Sequence, residues 1–250
     1  MIFDTHAHYN DLQYNDDLDL LINDMKKSVA GIINCGTNYE SSKKTLELAN
    51  KYKNFIYAAC GVHPGELEKD YNEELLLKLI NNPLCVAIGE IGLDYHYDGI
   101  DKEVQKNWLI KQIELSFKVN KPVILHDRDS HNDILEIIKK YKPRGVLHCF
   151  SGSVEMAREV IKAGLYIGVG GVLTFKNARK TAEVVKEIPL DKLLLETDAP
   201  YLSPEPFRGK RNRSDYIEFV AKKIADIKNM NYNEVLAANL KNTKELFNIG

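Results

Sequence analysis

Six side chains of types that bind divalent metals stand at or near the ends of apolar runs in this chain: His6, His8, Glu90, His126, His148 and Asp198. His6 and His8 are two positions apart, and on an extended strand that spacing points both imidazoles to one side, half a site for one ion. His126 and His148 close two successive runs and can hold a second ion. Glu90 falls between these pairs in chain order, and its two carboxylate oxygens can reach one ion each. Asp198 follows the last run, which neighbours the first if the strands close on themselves. The division expected is therefore His6, His8 and Asp198 on one ion, His126 and His148 on the other, with Glu90 bridging. Two ions about 3.5–4 Å apart can hold a water, lower its pKa and stabilise charge on a phosphoryl or carbonyl oxygen. Asp198 and Glu90 are thus catalytic candidates as well as ligands, Asp198 as the base for that water. Imidazole-rich ligation favours zinc, with manganese or magnesium as alternatives.

Other groups suit a substrate. Arg128 lies two positions past His126, and Arg208, Lys210, Arg211 and Arg213 form a basic loop; the planar guanidinium matches phosphate oxygens. Arg128 reads as a substrate contact and Arg213 as an ordinary surface cation. Asp127 adds a negative charge beside Arg128. Ser151 can offer a hydroxyl to an anion where a helix begins, although Ser151 or Ser153 may equally be read as the cap of that helix. His63, in CGVHPG, is a candidate acid or substrate contact, with a structural hydrogen bond as the competing account. His96 is expected on the rim and His131 at the solvent face of a helix start. Tyr95, Tyr97 and Tyr201 fall in loops, where aromatic rings can stack on bases or wall a pocket.

Something must bring these residues together. Short apolar runs at 1–4, 31–35, 55–60, 85–91, 122–126, 145–150, 165–169 and 192–196 alternate with longer amphipathic stretches. Runs apolar at consecutive positions suit parallel strands covered on both faces. Leu18, Leu21, Ile22, Met25 and Val29 make one helical stripe, and Leu109, Ile113 and Phe117 another. Two further helices are predicted after the last strand, through Ile217, Val220, Ile224 and Ile227 and through Leu236, Leu240 and Phe247. The expectation is an α/β protein, a (β/α)8 TIM barrel with extra C-terminal helices, forming a single domain over residues 1–250; an open doubly wound sheet is the alternative. In a barrel the C-terminal strand ends share one face, so distant residues meet there. A lone histidine usually has a structural explanation, but four histidines and two carboxylates at one face form a pattern that this explanation does not cover.

Composition narrows the classes. With 44% hydrophobic and 28% charged residues, the chain can bury a core, and its net charge of −2 draws it to neither nucleic acid nor anionic membrane. Four cysteines without a CxxC, no leader pattern and no apolar span favour a soluble cytoplasmic protein with no membrane association and no obligate protein partner.

The strings DTHAH at 4–8, GVHP at 61–64, GEIGLDY at 89–95, PVILHDRDS at 122–130, HCFSG at 148–152 and ETDAPYLSPEPFRGKRN at 196–212 occur in one order over nearly the whole chain. In these the sequence resembles the TatD-type metal-dependent deoxyribonucleases, a branch of the amidohydrolase-like barrels. The resemblance implies a two-metal hydrolase cleaving DNA phosphodiester bonds, often from an end, with the six residues above as ligands. It also implies substrate-site or supporting roles for His63, Arg128, Ser151, Glu196 and Arg208. The chain departs from the family pattern at Asn212-Arg213-Ser214, leaving the conformation of that loop open. The leading expectation is a 3′-to-5′ exonuclease that takes DNA through its basic loop, with a metal-activated water as nucleophile. A hydrolase of a small amide, lactone or aminoacyl ester, including aminoacyl-tRNA, is the second expectation. A non-enzymatic metal-binding protein is the third, and it would need a closed coordination sphere.

Overall fold

In the computed structural model, which describes residues 1–67, 71–96 and 99–250, strands and helices alternate along the chain. The strands are β1 (Ile2–Ala7), β2 (Val29–Cys35), β3 (Ile56–Cys60), β4 (Cys85–Asp94), β5 (Val123–Arg128), β6 (Gly145–Leu147), β7 (Leu165–Val169) and β8 (Leu193–Leu195). They pair in parallel in that order. Just past β8, Ala199 bridges to Ala7, and the Asp198 N–H donates to the His6 carbonyl at 2.9 Å, nearly closing the barrel. A nearly closed barrel, not an open doubly wound sheet, is the result.

Helices α1 (Leu18–Met25), α2 (Tyr39–Lys51), α3 (Glu73–Ile80), α4 (Lys102–Val119), α5 (His131–Tyr141), α6 (Val154–Lys162) and α7 (Arg179–Glu187) connect successive strands. Their starts carry side-chain caps where the sequence supplies them: Asn38 on α2, Asp101 on α4 and Ser153 on α6. α8 (Ile217–Lys228) completes the eighth unit, so among the described elements only α9 (Tyr232–Phe247) is additional. The two helical stripes need correction: Val29 opens β2, and Phe117 is half exposed. No helix is long and apolar enough to cross a membrane. All four cysteines are free thiols.

The barrel interior below the site is filled by Phe3, Ile33, Ala59, Ala87, Ile124, Val146 and Leu194, packed against Leu246 and Phe247 of α9. α9 is held there by Asn239, whose amide donates to the Phe3 carbonyl and accepts from the Leu195 N–H. One end of the barrel is thereby plugged with apolar side chains, and polar groups are concentrated at the other.

Side-chain alternation carries three strands from core to site without interruption: Ile124 then His126, Val146 then His148, Leu194 then Glu196. In β1 and β4 it does not. Strict alternation from Phe3 would turn Thr5 and Ala7 inward, and from Ala87 it would turn Gly89 and Ile91 inward. The register of β1 on β2 jumps between Asp4 and Ala7, and that of β4 on β5 jumps between Ile88 and Ile91. Each jump inserts one extra residue, a bulge, and reverses which side chains face inward. His6, His8 and Glu90 reach the centre through these two bulges.

Candidate metal centre

A cleft of about 810 Å³ opens where the C-terminal strand ends converge, and His8, His63, Glu90, His126, His148 and Asp198 line it. Four donor atoms form one group. His6 Nε2 and His8 Nε2 are 3.0 Å apart; Glu90 Oε2 is 3.5 and 3.4 Å from them, and Asp198 Oδ1 is 3.4 and 3.5 Å from them. An ion bound tetrahedrally at about 2.0–2.1 Å spaces its ligands about 3.3 Å apart, so the two imidazoles can share one divalent ion with either carboxylate oxygen. The other oxygen, Glu90 Oε1, lies 2.9 Å from His126 Nδ1 and 2.8 Å from His148 Nε2, which are themselves 3.1 Å apart. One oxygen of Glu90 faces each group, as the expected division requires, while Asp198 can also be grouped with His6 and His148. His63 Nε2 joins the second group more loosely, 3.8 Å from Glu90 Oε1. Asp198 sits at φ 61°, in the left-handed region, next to the seam between β8 and β1.

Glu90 is not near its strand's end as predicted, because β4 runs on to Asp94. That extension brings in a residue missed in the sequence: Asp94 Oδ2 lies 3.2 Å from His126 Nε2 and fixes the ring with Nδ1 toward Glu90. The available signal was the acid four positions past Glu90, which the pairing of β4 with β5 sets beside His126. Gly92 permits this approach, since a Cβ there would lie 2.1 Å from the His126 carbonyl oxygen. Glu196, expected in a substrate-site or supporting role, is buried behind His148, the position of a supporting residue. Its Oε1 accepts from the Cys149 N–H, and it lies 3.9 Å from His148 Nδ1. Among the described residues, Glu196 Oε2 and His148 Nδ1 have no hydrogen-bond partner. Burial raises the Glu196 carboxyl to about 8.

The remaining candidates divide by position. Arg128, Ser151 and Tyr201 line the cleft. The α6 cap is Ser153, leaving the Ser151 hydroxyl at the cleft. Tyr201 stands at the mouth, its hydroxyl donating to Asp11 at 2.8 Å. Arg208 lies outside the cleft lining, in an adjoining cavity. Arg211 and Arg213 are tied to Asp17 at 2.5 Å and to Asp24 at 2.7 Å, so the loop is less cationic than its composition. Its departure at 212–214 is built into the fold: the Asn212 amide donates to the Thr197 and Tyr201 carbonyls, and Ser214 donates to Asp4. Asp127 is turned to the start of α5, accepting from Ser130 and lying 2.6 Å from His131. Its charge thus serves that helix start while Asp127 also lines the cleft. Tyr95 bonds Asp133 and His96 pairs with Asp129, both outside the cleft lining; Tyr97 lies outside the described residues.

The model of the family described as TatD-related DNase matches residues 3–248. The chain belongs to that family. It is 44% identical to YabD of Bacillus subtilis, named an uncharacterized metal-dependent hydrolase, with all of both chains covered. The crystal structure of YjjV, a TatD homologue from Escherichia coli, superposes with a TM-score of 0.92 at 34% identity, covering 100% of this chain and 98% of that one. A TatD family hydrolase from Entamoeba histolytica superposes with a TM-score of 0.88 at 26% identity, covering 98% and 97%.

The tautomers in this TatD-family site follow from its hydrogen bonds. The Cys35 carbonyl lies 3.0 Å from His8 Nδ1, which must donate to it, leaving Nε2 free as a ligand. His63 is the reverse. Its Nδ1 accepts from the Gly65 N–H at 3.0 Å, so the neutral ring carries its proton on Nε2, facing the cleft. Burial lowers His63 to about 4, and burial with the neighbouring His148 lowers His6 to about 4. His8 behaves oppositely. Burial disfavours its charge, but Asp198 and Glu90 outweigh this and raise it to about 10; for His126, Asp94 and Glu90 do the same, to about 9. Glu90 is held well below its usual range despite burial, chiefly by His148 and His6.

Metal uptake must therefore expel protons. At pH 7 the metal-free site holds His8 and His126 as cations, and only neutral imidazole can ligate. Affinity should rise with pH up to about 10, more steeply below about 9 where both rings are charged, by about tenfold per unit for each proton displaced. Titrating zinc into metal-free protein by calorimetry, in buffers of different ionisation enthalpy, should detect proton release. Binding that releases none would show that these two rings are already neutral.

Proposed function

We propose that this chain is a metal-dependent hydrolase acting as a deoxyribonuclease, removing nucleotides from the 3′ end of DNA. The observation that carries the hydrolase reading is Glu90, each of whose oxygens faces a separate group of donors beside an open cleft. Bound there, divalent ions would activate water and offset charge on a phosphoryl oxygen. DNA as the substrate is supported by membership of a family described as TatD-related DNase, and the 3′ end is the expectation drawn from the motif resemblance alone.

Within this reading the protein's own groups have distinct tasks. Arg128, on the cleft wall, binds and orients the phosphodiester. His63 Nε2–H, held by the Gly65 contact, donates to an oxygen of the phosphate. Asp198 would help hold an ion with the oxygen that faces His6 and His8, and its other oxygen would receive the proton from water. Ser151 supplies a further hydroxyl at the same wall.

A second reading has a specific observation in its favour. Asp11 and Glu66 also line the cleft, and they suit a substrate bearing an amino group, such as an aminoacyl ester. Purified protein loaded with zinc, manganese or magnesium should be offered 3′-labelled single-stranded DNA, duplex DNA, RNA, a lactone and aminoacyl-tRNA. The expected result is loss of label from DNA that disappears with chelator and in His6→Ala. DNA left intact under every metal while an ester, amide or lactone turns over would reverse the order of the two readings.

A further inference from the structure

Beside the cleft lies a second cavity of about 640 Å³, and Tyr201 and Leu202 line both. Their electrostatics differ. The cleft includes several carboxylates, whereas the second cavity is lined by Arg208, Lys210 and Arg211 and by no carboxylate among the described residues. Arg211 is neutralised by Asp17. The Arg208 guanidinium lies 3.7 Å from the centre of the Phe175 ring, which orients it and leaves its charge unneutralised. Lys210 Nζ lies 5.9 Å from the Phe207 ring. The turn carrying both is held by the Phe207 N–H on the Pro204 carbonyl at 2.7 Å, the Lys210 N–H on the Phe207 carbonyl at 3.0 Å, and the Ser203 hydroxyl on the Lys210 carbonyl.

We propose that this cavity is a second phosphate subsite, where Arg208 and Lys210 bind the phosphodiester next to the one being cleaved, with the intervening base against Tyr201. The inference rests on the nuclease reading. A substrate with one anionic group gains nothing from two cationic positions beyond an aromatic wall. A polynucleotide, by contrast, carries a charge on every residue with a base between, and base stacking on an aromatic face is independent of sequence. The Tyr201 ring is half exposed and steadied by its bond to Asp11, so it presents a face. A cationic pocket that shares Tyr201 and Leu202 with the cleft adds to the attraction of a polyanion.

The test compares hydrolysis of thymidine dinucleotide, trinucleotide and pentanucleotide by metal-loaded wild type, Lys210→Ala and Arg208→Ala. The readout is the ratio of kcat/KM for the pentanucleotide to that for the dinucleotide within each protein, so a folding defect divides out. The wild-type ratio should be about ten, equivalent to one charge-assisted contact. Each variant should lower it towards one, through KM, and flatten the salt dependence for the pentanucleotide by about 0.7 in log–log slope. Cleavage with no dependence on length in wild type, or a ratio unchanged in both variants, overturns the subsite alone. No cleavage at any length overturns the nuclease reading and the subsite with it.

Discussion

Glu90→Ala is expected to leave the protein with fewer than two bound ions and to lower kcat/KM by about a thousandfold or more, some 4 kcal/mol of transition-state stabilisation. Among the described residues Glu90 places an oxygen in each donor group, 3.4–3.5 Å from His6 and His8 on one side and 2.8–2.9 Å from His126 and His148 on the other. Removing any single histidine weakens one group, but removing Glu90 weakens both. It also withdraws the anion that helps hold His8 and His126 protonated in the metal-free state. The proton release on metal uptake should therefore shrink along with the metal content. Glu90→Gln separates charge from shape, since one oxygen remains and the negative charge goes; it should keep more metal than Glu90→Ala at similarly low activity. Elemental analysis and turnover measured on the same preparations decide the matter. Two ions per chain with activity within tenfold of wild type would remove Glu90 from the bridging position.

Asp4→Ala should cost about 3 kcal/mol of stability, because it leaves several buried donors without an acceptor. For a chain of this size that corresponds to a fall in Tm of roughly 6–12 °C. The Asp4 side chain is fully buried at the seam of the barrel. Its Oδ1 accepts from the His6 and Thr197 N–H groups at 3.2 and 3.1 Å. Its Oδ2 accepts from the Thr197 and Ser214 hydroxyls at 2.6 Å each. One carboxylate thus joins β1, the segment after β8 and the loop leading to α8. Asp4→Asn should cost much less, about 1 kcal/mol, because the amide oxygen can serve the two backbone donors while the hydroxyls rotate to accept.

The pH dependence has a definite sign. Burial raises the Asp4 carboxyl from 3.8 to about 7, against the opposing hydrogen bonds from Ser214 and Thr197. The folded state therefore binds this proton more tightly than the unfolded chain does, and the associated stability is present below pH 3.8 and lost as pH rises through about 7. Asp4→Asn should lack that component. Thermal melts of metal-free wild type and both variants at pH 5 and 8 test it. Asp4→Ala melting within a few degrees of wild type would mean that the seam does not depend on this carboxylate.

The sequence by itself pointed to the barrel and to six candidate metal-binding side chains at one face of it. It could do so because those facts are local: run length and spacing define strands, and a residue at a C-terminal strand end goes to the shared face. For Ile124 and His126, or Val146 and His148, plain alternation leads from core to site, and the pattern is legible within each strand. The inward turn of His6, His8 and Glu90 was not legible in that way. It depends on bulges in β1 and β4, which are defined only against the partner strands. Asp94 escaped notice because its contact with His126 is set by pairing between β4 and β5. The depth of Glu196 behind His148, which decides between its two expected roles, depends on β7, where Gly168 leaves room: a Cβ there would lie 2.6 Å from the Glu196 carboxylate. The basic loop looked more cationic in sequence than it is, since the partners of Arg211 and Arg213 include Asp17 and Asp24, nearly two hundred positions away. Residue type and strand position identified the ligands; register and long-range pairing decided how they are aimed and which charges remain for a substrate.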